Sequence, residues 1–128
     1  MPSSEVLERF IRRVEDNAHA EAIEEFYTSN ATMRENQAEP RRGRDALAAH
    51  EREMLAKAWA VQSKCVRPVF VDGHFVVIRW IFDFEWLDGG TTHLEELAWQ
   101  RWEGDRIAEE QFFYDPAQLV PVQPAPAS

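Results

Sequence analysis

Asn30-Ala31-Thr32-Met33-Arg34-Glu35-Asn36-Gln37, followed by Glu39-Pro40-Arg41-Arg42-Gly43, is the stretch that decides the fold. It reads as a short strand, Ala31 to Glu35, entered through the turn chemistry of Thr28-Ser29-Asn30 and left through a loop from Gln37 to Arg44. Helical sequence lies before it. A further helix follows it, and then come long strands crowded with Trp and Phe. That order predicts an α+β fold: a curved, mostly antiparallel sheet wrapped around three N-terminal helices as a cone, with Glu35 at the lip of a pocket between the two layers.

Working outward, the first helix starts near Ser3 or Ser4, whose hydroxyls can cap it, with Glu5 in the first turn where the helix dipole favours an acid. Val6, Phe10 and Val14, with Leu7 and Ile11, fall on one face at helical spacing. Asp16-Asn17-Ala18-His19 breaks it, and a second helix runs from about Ala20 to Tyr27 with Ile23, Phe26 and Tyr27 inward. Asp45 is the expected cap of a third helix that reaches about Trp59 and turns Leu47, His50 or Glu51, Met54, Leu55 and Ala58 inward.

The remainder reads as β. Val61 to Val71 is a strand, bent or bulged at Pro68, because proline cannot serve a central ladder. Asp72-Gly73 is a hairpin signal, and Phe75 to Trp86 alternates behind it. Val76, Ile78, Trp80, Phe82, Phe84 and Trp86 share one face; Val77, Arg79, Ile81, Asp83 and Glu85 share the other. Asp88-Gly89-Gly90 turns into a strand from Thr91 to Trp102, and Glu103-Gly104-Asp105 into a last strand from Arg106 to Tyr114, ended by Pro116. There is no internal repeat. Residues 1–118 form one domain, and residues 119–128 a Pro- and Ala-rich tail, expected to be disordered from Val120 on.

With 128 residues the chain is one domain's worth, and its 45% apolar content, with five Trp and eight Phe, supplies a sizeable core. The net charge of −9 argues against binding nucleic acid and against adhesion to an anionic membrane. A single Cys65 cannot form an internal disulfide, which fits a cytoplasmic protein. Met1 to Arg13 has no apolar run of signal-peptide type, and Arg79, Asp83 and Glu85 interrupt the longest apolar stretch.

The chain resembles the cone-shaped superfamily of nuclear transport factor two, scytalone dehydratase, ketosteroid isomerase and SnoaL-type polyketide cyclases. The resemblance covers about residues 4–118. It rests on Phe26-Tyr27 followed by Asn30 to Glu35, on Gly43-Arg44-Asp45-Ala46-Leu47, and on Trp102 to Ile107 with Tyr114-Asp115-Pro116. It implies a cystatin-like α+β barrel and a small-molecule pocket. It also implies that Glu35 matches the isomerase's carboxylate base, whereas the phenolic donor and the protonated acid fall on Ile11 and Ala98. A base without either donor has no means of stabilising charge that develops on oxygen, so steroid isomerisation is rejected. The cyclases use a pocket acid, a part open to Glu35 or Glu110.

Read from the residues alone, Glu35 shares a strand face with Ala31 and Met33. Facing inward, it is a desolvated carboxyl usable as a base or acid; facing outward, it is a solvated strand end paired with Arg34 or Arg41. His50, beside Glu51 on the third helix, is either a proton shuttle or a hydrogen-bonded packing residue. Glu110 alternates with Phe112 and Tyr114, either as a buried pocket acid or as a partner of Arg79 or Arg101. Glu96 and Gln100 flank Ala98 as further polar candidates, and Tyr27 and Tyr114 each carry a phenol on an aromatic body.

Trp80, Phe82 and Phe84, with Phe112 and Tyr114, form an aromatic wall that suits a flat, mainly apolar ligand of polyketide or terpene-like character. The opposite sheet face, with Leu97 and Trp99, is an expected homodimer surface. His19, His50, His74 and His93 lack metal-ligand spacing, and nothing in the sequence supports a redox or nucleotide cofactor. Two classes follow. One is a cofactor-independent acid/base enzyme (isomerase, cyclase, dehydratase or hydrolase type) with Glu35 as base. The other is a non-catalytic ligand-binding or dimerisation module.

Overall fold

The structure is a computed structural model and describes residues 1–124. Helix α1 spans Ser4–Glu15 and α2 His19–Phe26. Strand β1 (Tyr27–Glu35) and the two-residue β2 (Arg41–Arg42) lead to α3 (Arg44–Leu55). Four strands follow, β3 (Ala58–Asp72), β4 (Phe75–Trp86), β5 (Thr91–Glu103) and β6 (Arg106–Phe113), then a 3-10 turn at Pro116–Leu119. One sheet has the order β2-β1-β6-β5-β4-β3, with β1 and β6 parallel and every other pair antiparallel. The sheet is curved and unclosed, and with the three helices it makes the α+β cone expected from the order of elements.

Local chemistry explains the limits of most elements. Ser3 Oγ accepts from Val6 N–H at 3.1 Å and caps α1, whose buried face is Leu7, Phe10, Ile11 and Val14. Gly73, at φ 59, makes the turn between β3 and β4 that an L-residue resists. On β4 the inward set Val76, Ile78, Trp80, Phe82 and Phe84 is buried, as alternation predicts. The β3–β4 register shifts between Val66 and Phe70, around Pro68, which has no N–H for the ladder.

Three expectations are corrected. Asp45 does not cap α3: the N-cap is Gly43 at φ 93, its N–H bonded to Ala31 O at 2.8 Å, and the Asp45 side chain is 99% exposed in the first turn. That helix stops at Leu55 rather than near Trp59, because Ala58 already pairs with Trp86 and Lys57 O accepts from Leu87 N–H at 3.0 Å. The loop from Gln37 to Arg44 contains β2, paired with Thr32 and Met33.

Disorder from Val120 on does not describe residues 120–124. Strand β6 covers β5 only from Leu97 to Glu103, so the Thr91 half of β5 has backbone groups open on that side. Val122 fills it with two bonds to Thr91, at 2.8 and 2.9 Å, and the Gln118 side chain bonds both Glu95 N–H and Glu95 O. Residues 125–128 of the expected tail lie outside the described residues. No helix among the described residues is long and apolar enough to cross a membrane.

Candidate functional site

Between the helices and the concave side of the sheet lies a cavity of about 270 Å³. One wall is the β4 ladder, in which Trp80 stacks on Phe82 (centroids 5.6 Å, planes 20° apart) and Phe84 on Trp86 (4.9 Å, 8°). Trp86 is pinned by its indole N–H donating to Thr92 Oγ1 at 2.8 Å. Beyond the cavity the cone is filled: Phe10 meets Phe26 and Trp102 edge to face at 5.6 and 5.9 Å.

Of the residues singled out from sequence, Glu35, Glu110, His50, Tyr27, Trp80, Phe82, Phe84, Phe112 and Tyr114 all line the cavity. Gln100 does not. It is fully buried behind Glu110, donates its amide N–H to Glu110 Oε2 at 2.6 Å, and accepts from the Trp102 indole N–H at 3.0 Å. The Tyr27 hydroxyl donates to the other oxygen, Glu110 Oε1. Parallel pairing of β1 with β6 sets the phenol and the carboxyl together across 83 residues of sequence. Burial raises Glu110 to about 7, and the bonds from Tyr27 and Gln100 hold it from rising further. Burial, and then the charge of Glu110, push the Tyr27 phenol well above its ordinary range.

Glu35 is at the mouth, its side chain 34% exposed. Asn36, at φ 49, turns the chain after it, and Arg41 on β2 folds back to bond both its oxygens at 2.7 and 3.2 Å. The pairing alternative weighed for Glu35 therefore holds together with its place in the cavity lining. His50 is an exposed residue of the rim. Burial, and then the charges of Glu35 and Glu96, raise Tyr114 to about 12.

Glu96 is the acid that matters most. It is 9% exposed, lines the cavity, and has no hydrogen-bond or ion-pair partner among the described residues. Desolvation first, then the charges of Glu110, Glu35 and Glu51, lift its carboxyl well above the usual range. Alternation on β5 had marked it as a polar candidate without ranking it.

His19 escaped the sequence reading, which took it as the end of a helix break. It is buried on α2, its Nε2 donates to Ser63 Oγ at 2.7 Å, and its Nδ1 faces Glu51 Oε1 at 3.3 Å. Ser63 Oγ passes its own hydrogen to Asn17 Oδ1 at 2.8 Å. The signal was present: His19, Ala22, Ile23 and Phe26 share one helical face.

With the geometry in place, comparison with known proteins is informative. The SnoaL-like domain family matches residues 7–110. A candidate SnoaL-like polyketide cyclase from Mesorhizobium loti, also labelled carbohydrate phosphatase, is similar at 18% identity and TM-score 0.72, over 87% of this chain and 97% of that one. A hypothetical protein of ketosteroid isomerase-like fold from Catenulispora acidiphila, solved with trimethylamine, is similar at 13% and 0.76, over 92% and 91%. An LEH-like epoxide hydrolase from M. tuberculosis is similar at 14% and 0.73, over 90% and 84%. At these identities the structures speak for the fold alone. No curated protein matches significantly. The family match covers most of the chain and agrees with the cone fold: the protein belongs to the SnoaL-like domain family.

Proposed function

We propose that the protein binds a small, mainly apolar, ring-bearing molecule in its cone cavity and moves a proton on it without a cofactor. The observation that carries this reading is the unpartnered carboxyl of Glu96 in an aromatic-walled cavity. A buried acid without partners costs stability, and a ligand's polar atom is what would offset that cost. The volume of about 270 Å³ is close to the lower bound of ligand sites, about 300 Å³, and suits one or two rings.

In this reading Glu96 fixes the ligand's polar atom. Glu35 accepts the proton at the mouth, and Arg41 orients its carboxylate. Glu110 belongs to the wall, since Tyr27 and Gln100 occupy both its oxygens. Ile11 and Ala98 are fully buried apolar residues, so neither offers the donor that steroid isomerisation needs. Isomerase, cyclase, dehydratase and hydrolase chemistry all remain within this class.

A thermal-shift screen divided between apolar ring compounds and phosphorylated metabolites tests the binding. The ring set should raise the melting temperature; stabilisation by the phosphorylated set alone contradicts the reading. For any compound that turns over, Glu35→Gln should abolish turnover and leave the fold intact, because it removes a proton acceptor at nearly constant volume. Binding with full activity in Glu35→Gln would remove Glu35 as the base.

The convex sheet face favours a homodimer as well. Leu97 and Phe113 are paired in register and remain 46% and 40% exposed, and Trp99 packs on Phe75 at 5.5 Å beside them. Sedimentation at micromolar concentration should give twice the chain mass, and a strict monomer contradicts this. The free Cys65, buried on β3, supports a cytoplasmic location.

A further inference from the structure

The charge inventory of the cavity goes beyond its apolar walls. Its lining carries four carboxyls, Glu35, Glu51, Glu96 and Glu110, and one guanidinium, Arg41. Arg41 is committed to both oxygens of Glu35. His19 is bonded to Glu51 and Ser63, and His50 is an exposed residue of the rim. Around Glu96, then, stand Glu110 on β6, Glu35 on β1 with Arg41 on β2, Glu51 and His50 on α3, and His19 on α2. The phenols of Tyr27 and Tyr114 complete the set. None of them bonds to Glu96, and Arg41, the one Lys or Arg of the cavity lining, is paired with Glu35.

Aromatic faces supply the second half of the argument. Glu96 is the cross-strand partner of Trp80, which stacks on Phe82. A carboxyl and the indole and benzene rings lining one cavity attract a cation both by charge and by the ring quadrupoles. An anion meets four carboxyls there. A neutral ligand gains nothing from these carboxyls' charge.

We propose that the ligand is an ammonium, a tertiary or quaternary amine carried on an apolar ring-bearing body, seated against Trp80 and Phe82 with Glu96 as its counter-ion. This rests on the small-molecule reading above and narrows its ligand class. One consequence distinguishes it. Burial and the neighbouring carboxylates make the Glu96 carboxyl hold its proton more tightly than an ordinary carboxylate, and a cation seated against it favours the ionised form. Binding therefore releases protons from the protein and strengthens as pH rises.

Calorimetric titration with phenyltrimethylammonium and its uncharged isostere tert-butylbenzene tests this. The first has no proton of its own, so any proton released comes from the protein. In two buffers of different ionisation enthalpy, phenyltrimethylammonium should bind at least about tenfold tighter than tert-butylbenzene and release protons. Its affinity should rise with pH until Glu96 is ionised in the free protein as well, while that of tert-butylbenzene stays flat. Glu96→Gln should remove the tenfold preference and most of the proton release while retaining tert-butylbenzene. Should the variant fail to fold, the pH series on the unaltered protein decides alone. Equal or tighter binding of tert-butylbenzene, or cation binding without proton release, overturns the ammonium and leaves the ring-ligand reading standing. Failure of both probes to bind overturns the two together.

Discussion

Strands β4 and β5 run through two regions of the cone that treat the same face differently. In the filled region Val76, Ile78, Ala98 and Gln100 are fully buried and Phe26 and Trp102 close on Phe10, while Glu110, on the cavity wall that backs onto it, has both oxygens bonded by Tyr27 and Gln100. In the hollow region Phe82, Phe84 and Trp86 line the cavity, and Glu96 has no partner among the described residues. The difference separates two uses of a buried acid. Glu110 is a satisfied part of the wall, and Glu96 is a group whose partner must come from outside the chain.

The largest expected effect lies in packing. Trp102→Ala in the filled region should cost about 3–5 kcal/mol in urea denaturation, because the surrounding rings cannot collapse onto the gap. Phe84→Ala, which only enlarges an existing cavity, should cost under roughly half of that. Equal losses would break the contrast between the regions. Next in size is Tyr27→Phe, which strips one donor from Glu110 and should cost about 1–3 kcal/mol. Because that donor holds the carboxyl down, the variant's Glu110 should titrate above its value of about 7 in the unaltered protein.

A smaller effect is on pH dependence. Glu110 is raised in the folded state from 4.5 to about 7, so between those values the unfolded chain ionises and the folded one does not. Its favourable contribution is complete below about pH 4.5 and is lost as pH rises through about 7. Glu96, also raised, adds to the decline in the same direction. Denaturation of Glu96→Gln should therefore show a shallower fall with pH, and the variant should gain on the unaltered protein above neutrality. A fall as steep as before would show that Glu96 ionises freely in the fold. Smallest of all, Arg67→Ala breaks an exposed pair with Glu8 and should cost under about 1 kcal/mol.

Much of this was legible in the chain. Strand β4 was readable to the residue, since Asp72-Gly73 and Asp88-Gly89-Gly90 bound a clean alternation whose apolar set is buried from Val76 to Phe84 and partly buried at Trp86. The same alternation placed Glu110 with Phe112 and Tyr114. What sequence could not supply was long-range company. Glu110 meets Tyr27 through the parallel β1–β6 pair, which no hairpin rule indicates. Gln100 was misplaced into the cavity because alternation gives a face and not a depth along the cone. The start of α3 was read at Asp45, a good capping residue, but the chain enters the helix from β2 through Gly43, whose N–H is already committed to β1. Alternation set Glu96 and Gln100 on one face of the strand, and the sequence reading took Gln100 as the ligand-binding one. Only the structure shows one bonded twice and the other not at all.

Glu96 is an unpartnered acid facing the cavity, and its titration is the property on which the ligand reading rests. A carbon-13 NMR titration of the glutamate side-chain carboxyls measures this directly. The account predicts that Glu96 titrates well above the ordinary carboxylate range and that Glu110 titrates at about 7, with the Glu96 resonance assigned by its loss in Glu96→Gln. A Glu96 carboxyl that titrates near 4.5 would contradict it, because such a group is either solvated or already paired within the fold.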